Sequence, residues 1–156
     1  MSTVAQVTAA WNTYVFAHST VQAITTKIYN FDAVSMADNS RVYDAQLHYG
    51  QTYNFFQWRA TKFINSQNIG GSKLYIYPVT VQYFIEADID GSNFAAAELA
   101  FETLYTRVNS GLGTTWDSTV DFYTPQPNRP ALSEYIINDT VCWMWSYEYV
   151  GTKTGS

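Results

Sequence analysis

Chemistry at a protein site needs nucleophiles, bases or metal ligands brought together, and this chain holds few: His18, His48, Cys142 and some grouped carboxylates. The two histidines are far apart in sequence, and neither lies in a recognisable catalytic or metal-ligating spacing. His18 follows the first predicted helix, where a capping or surface role is favoured because sites need clusters. Cys142 sits in an apolar run without the flanking signature of a thiol enzyme and reads as a small buried side chain. Asp88-Ile89-Asp90-Gly91-Ser92-Asn93 opens like a calcium loop. An EF-hand needs an acidic ligand at its twelfth position, and counting from Asp88 that position is Leu99. The segment therefore reads as a solvated turn with acid near the positive end of a helix. Glu98 and Glu102, one helical turn apart, read as a solvated face, because no other polar group joins them into an acid/base pair. Gly111-Leu112-Gly113 lacks the third glycine of a dinucleotide loop and follows a helix, not a strand. The residue inventory predicts no enzyme, no catalytic residue, no metal ligand and no cofactor.

The elements around these residues are clearer than the chemistry. From Tyr75 to Ile85 every odd position is apolar or aromatic, the alternation of a half-buried strand. After the polar break at 88–93, Phe94, Ala97, Phe101, Leu104, Tyr105 and Val108 recur at helical spacing. Ser92 or Asn93 is the expected cap, and Ser110-Gly111 the expected end, of a helix over about 93–109. A second amphipathic helix is predicted over 3–17, with Val4, Val7, Trp11, Tyr14 and Val15 on one face and Ser2 or Thr3 as cap. Short β-like runs occupy 22–30 and 41–49, separated by a loop from Asp32 to Ser40. A long strand is predicted over 52–65, with Phe56, Trp58, Ala60 and Ile64 on one face and Tyr53, Phe55 and Phe63 on the other. Aromatic residues on both faces require two covering layers or a neighbour. The turn Ser66–Ser72 would fold 52–65 onto 73–87 as a hairpin. Pro78 cannot donate to a ladder and implies an edge or a bulge. Further on, 118–124 reads as a strand with Val120 and Phe122 on one face, 125–130 as a stiff extended loop and 131–137 as a short helical turn. Residues 140–150 read as the closing strand, with 151–156 as a frayed tail. Neither a repeat nor a domain boundary interrupts residues 1–156. The fold class is α+β: a mixed, mostly antiparallel sheet packed by an N-terminal and a central helix.

The chain of 156 residues can bury a substantial core as one domain. Charged residues make up only 13%, about half the usual share, while aromatics reach 17%. Such a surface must be solvated by Ser, Thr, Asn and Gln, or be covered in part by another subunit; the second is favoured. Net charge is −5, and the eight Lys and Arg are scattered, so no basic stripe exists to neutralise phosphates. An acidic surface can still line a channel through which DNA slides without sticking. Met1–Ala5 has no basic signal-peptide region, no apolar run approaches ~20 residues, and a reducing cytoplasm without membrane insertion is the expected setting.

The order of elements carries a resemblance. An N-terminal helix is followed by a strand pair around Gln57–Thr61 and Tyr75–Ile85, then by the helix led by Asp90-Gly-Ser-Asn93 and containing Ala95-Ala-Ala-Glu-Leu99. A strand near Val120 and the closing strand Asp139–Tyr149, with its aromatic-x-Tyr-Glu-Tyr ending, complete it. This pattern resembles the tail-terminator (tail-completion, minor tail) proteins of long-tailed bacteriophages, chiefly over 52–150, with residues 30–50 fitting as an insertion. The resemblance implies a virion protein of the tail and neck, assembled in the host cytoplasm as a homo-oligomeric, hexameric ring. Such a ring caps the tail tube, stops its polymerisation and joins it to the head-side connector or head-closure protein, with DNA passing through the lumen and no cofactor.

A ring buries a seam on each side of every protomer, which accords with spare aromatics and low charge. The candidate interface residues are Phe56, Trp58, Arg59, Trp116, Trp143 and Trp145; the sequence does not divide them between core and seam. Loops at Asn65–Ser72 and Pro125–Pro130 are candidates for axial docking. Trp58→Ala and Trp116→Ala are expected to impair assembly more than folding. The alternatives are another neck or tail protein, such as a head-closure or tube subunit, or a carbohydrate-binding module. In the last case the ladder Trp143, Trp145, Tyr147, Tyr149 would form a stacking platform, although a sheet core or subunit seam is favoured for it.

Overall fold

The computed structural model describes residues 3–30, 53–69, 72–110, 120, 122–125 and 128–155. The predicted strand 41–49, His48 and Trp116 lie outside the described residues. Among the described residues the fold is a mixed sheet with helices packed on one face, the α+β class read from the sequence. Strands β1 (Ile28–Asn30), β2 (Asn54–Ala60), β3 (Phe63–Ile69), β4 (Ser72–Glu86), β5 (Phe122–Pro125), β6 (Ser133–Ile137) and β7 (Thr140–Gly155) join helices α1 (Val4–Trp11), α2 (Ser19–Gln22) and α3 (Ser92–Asn109).

The sheet runs β1-β2-β4-β7-β5, with β3 also pairing β4 and β6 also pairing β7. Among the described residues only the β1–β2 pair is parallel. The spine is the long antiparallel pair β4–β7, in register from Lys73↔Gly155 to Glu86↔Cys142. Residues 151–155 therefore belong to the central pair, and the expected frayed tail is corrected. The expected strand 52–65 is two strands: β2 pairs Val79–Ile85, β3 pairs Ser72–Ile76, and Thr61-Lys62 separates them. Residues 66–69, read as turn, are strand, and 70–71 lie outside the described residues.

Pro78 explains the break. It lies in the sheet's central strand, not at an edge, yet its carbonyl accepts from the Thr61 N–H at 2.9 Å. In an antiparallel strand a residue's nitrogen points to the same side as its carbonyl, so the missing donor of Pro78 faces the gap between β2 and β3. Residues 131–137 also differ from expectation. Ser133–Ile137 is a strand, joined to β7 by Asn138 and Asp139 at φ 47° and 65°. Those left-handed values make a two-residue turn of the type whose twist suits a hairpin, and Asn and Asp tolerate it.

Helix α1 begins with a reciprocal capping box: the Thr3 hydroxyl accepts from the Gln6 N–H, and Gln6 Oε1 accepts from the Thr3 N–H. A π-helical turn, Asn12–Phe16, continues it, closed by the Ala17 N–H donating to the Asn12 carbonyl at 2.9 Å. The wider turn brings Val15 and Phe16 together onto the buried side with Val7 and Trp11. Helix α3 buries Ala97, Ala100, Phe101, Leu104 and Val108 on the same side of the sheet.

Candidate interaction surface

The helix-covered face of the sheet collects the aromatic ladder. In register with Ile85, Tyr83, Val81 and Val79 of β4 stand Trp143, Trp145, Tyr147 and Tyr149 of β7. Trp145 is buried and donates its indole N–H to the Ala97 carbonyl of α3 at 2.9 Å, which satisfies its polar end inside the core. Where the ladder reaches Gly151, the missing side chain is replaced by the ring of Tyr123: a Cβ on Gly151 would lie 2.6 Å from Tyr123 Cε1. That ring meets Trp11 edge-on, with centroids 5.4 Å apart and planes at 89°.

Three of the six candidate interface residues thus lie in the protomer's own core. Phe56 and Trp58 have no exposed surface and Trp145 has 1%. Trp58 stacks on Phe16 at 4.7 Å and lies 6.2 Å from Trp11. Their assignment to a seam is corrected, because using them there would mean opening the core, and Trp58→Ala becomes a test of folding. Trp143 is half-buried beneath Phe94, with ring centroids 5.0 Å apart and nearly perpendicular. Arg59 is half-buried on the opposite face, in the row Arg59–Thr80–Glu148. With Trp145, Tyr147 and Tyr149 buried, the ladder does not form an open stacking platform for a sugar.

The residues weighed for chemistry are placed separately. His18 caps α2: its Nδ1 accepts from the Thr20 N–H at 3.3 Å and contacts the Thr20 hydroxyl at 2.8 Å. It lines a groove of about 390 Å³ between α2 and α3 with Thr20, Leu99, Thr103, Thr106 and Arg107. Arg107 is stacked 3.5 Å over the Tyr14 ring and donates to the Tyr14 carbonyl. Glu102 pairs with Arg129 at the surface, and Glu98 is exposed. Cys142 is buried, and desolvation, helped by the nearby Glu86 carboxylate, pushes its thiol up to about 12, where it is a poor nucleophile. No group of three or more His, Cys, Asp or Glu able to hold a metal occurs among the described residues.

At the α3 N-terminus the caps are aspartates, not the expected Ser92 or Asn93. Asp88 accepts from the Asn93 N–H and the Ser92 hydroxyl, while Asp90 accepts from the Ser92 N–H at 3.0 Å. The hydrogen bond from the Ser92 backbone N–H is the main cause that holds the Asp90 carboxyl below its ordinary range. Gly91, at φ 78°, makes the left-handed step into the helix.

The surface that sequence reasoning missed is the end of the sheet beside this turn. The Ala87 N–H donates to the Val141 carbonyl, and Val141 pairs in register with Ile136. Ile89 is fully exposed, Ile136 is 67% and Val141 40% exposed. The available signals were the Asn138-Asp139 dipeptide, which marks a hairpin, and an isoleucine between two aspartates.

No protein-family model matches the chain, and no curated protein matches it in sequence. No helix among the described residues is long and apolar enough to cross a membrane.

Proposed function

We propose that the chain is a structural subunit of a bacteriophage tail, a terminator-type protein that forms a ring on the tail tube and joins it to the head-side connector. The observation that supports this reading best is the order and packing of elements: an N-terminal helix, an antiparallel pair, a helix led by an acidic turn, and a long closing strand in the centre of the sheet. Both helices pack one face of that sheet, so the protomer has a rigid core of its own and can offer its loops and sheet ends to neighbours. The low charge content accords with surface covered by other subunits. A hexamer is the expected stoichiometry, with the acidic chain letting DNA pass through the lumen.

Solution mass by size exclusion with light scattering over a concentration series, with negative-stain images of the same fractions, tests the reading. Six-fold rings, or a concentration-driven shift from monomer to hexamer, are expected. A strict monomer throughout overturns a self-assembling ring.

A further inference from the structure

The end of the sheet formed by the β6–β7 hairpin and the turn into α3 carries a set of exposed apolar side chains. Ile136 and Val141 are cross-strand partners and so project on one face; Trp143, two residues along that face, carries Phe94. Phe94 remains 37% exposed, and Ile89 is wholly in solvent two residues past the Ala87–Val141 hydrogen bond. Single exposed aliphatics are ordinary, but aliphatics grouped at one end of a sheet mark a contact. Around them stand Asp90, Glu134 and Asp139, all exposed. None of the chain's eight Lys and Arg falls between residues 74 and 106 or between 130 and 152, the segments that build this end. Asp90 is held ionised by its hydrogen bonds to Ser92.

From these observations we infer that this end docks a different protein, one presenting aliphatic side chains rimmed by lysine or arginine. A symmetric pairing of two copies would set carboxylates against carboxylates. A head-to-tail pairing would need basic groups from this chain; of its eight, Arg107 is stacked on Tyr14, Arg129 is paired with Glu102, and Lys62 lies over Tyr75 and Tyr77, and a pairing through the other five is read out by the solution mass. Nucleic acid and anionic membrane are repelled by the rim. The inference rests on the ring reading only for where such a partner is met, at the contact between the ring and the tube or connector; the chemistry of the surface stands without it.

The test uses the whole chain and two synthetic amphipathic helical peptides, each with a leucine face, one flanked by lysines and the other by glutamates. Fluorescence anisotropy should show the lysine peptide binding, more weakly as salt rises, and the glutamate peptide failing to bind. The double variant Ile89→Ser, Ile136→Ser and the single variant Glu134→Lys, at exposed positions that leave the circular dichroism unchanged, should each weaken binding by about ten-fold or more. Absence of binding to the lysine peptide, equal binding of both peptides, or variants that bind as wild type does would overturn the inference. Solution mass is read on the same samples. Tip variants that dissolve a ring place this end in the seam between copies and overturn docking of a different protein. A strict monomer that still binds the lysine peptide through the tip removes the ring and keeps the surface; rings blind to the peptide do the reverse.

Discussion

The two faces of the central sheet are built from the same strands and do different work. On the helix side, Phe56, Trp58, Tyr83, Trp145, Tyr147 and Tyr149 close against Trp11, Phe16, Phe101 and Leu104 in one continuous cluster. The opposite face has a smaller cluster, with Phe55 and Phe84 stacked at 4.9 Å, and Tyr53, Ile137 and Cys142 beside them. It then turns polar along Gln57–Gln82 and Thr80–Glu148. Adjacent residues of β2 show the contrast: Trp58 and Gln57 are both fully buried, one among stacked rings and the other hydrogen-bonded to the Gln82 amide. Burial by itself therefore does not say what a position contributes; the chemistry of the face does.

The largest break in this comparison comes from Trp58→Ala. Removing a fully buried indole and leaving a cavity should cost about 3–5 kcal/mol, read as a lower urea midpoint with folding, not assembly, as the first casualty. A variant that folds with wild-type stability yet fails to associate would return Trp58 to the seam. Gly151→Ala probes the same face from its far end. The new Cβ meets the Tyr123 ring and must displace it, an overpacking expected to cost about 1–3 kcal/mol in the same measurement.

Alkali sharpens the comparison through titration. Burial raises the Tyr83 and Tyr149 phenols on the helix side and the Cys142 thiol on the other. In the unfolded chain these groups ionise at ordinary values, so above about pH 9 the unfolded state loses protons that the folded state keeps. Stability should be level below that range and fall as pH rises through it. The thiol should resist a thiol reagent at pH 8 until denaturant is added. Rapid modification of the native protein would show that Cys142 is reached from solvent. The smallest effect is expected from Gln57→Leu. It removes one hydrogen bond to Gln82 and also one unpaired buried acceptor, so stability should stay within about 1 kcal/mol of wild type. A loss of several kcal/mol would mean that Gln57 is a structural anchor.

Much of this architecture could be read in the residues, and the failures have identifiable causes. The alternation at 75–85 and the helical spacing at 94–108 are long enough for their periods to be unambiguous, and both elements formed with nearly the expected bounds. The seven residues 131–137 cannot by themselves distinguish a helical turn from a strand; β7 supplies the partner that decides it. Phe16 was missed because a regular 3.6-residue period turns it away from the Val7–Trp11 face, whereas the π-helical turn brings it in. The extension of β7 through 151–155 was invisible because Gly and Thr signal a tail until β4 lies alongside. As for the candidate site, an aromatic is equally apolar in a core and in a seam. Composition marked aromatics as contact candidates, but it could not place Trp58 inside the core and it did not mark Ile136, which stands outside.

By itself, then, the sequence determined the periods of its long elements, the polar turn that starts α3, the scarcity of basic charge and the separation of its few reactive groups. These are local or compositional properties, carried by each segment wherever it lies. Tertiary structure decided which aromatics became core, how Pro78 could sit in a central strand, and why isoleucines gathered at an acidic end of the sheet. Those outcomes depend on register between strands distant in the chain: Trp145 is buried because it pairs with Tyr83 beneath α3, and Val141 is exposed because it stands past the end of that cover.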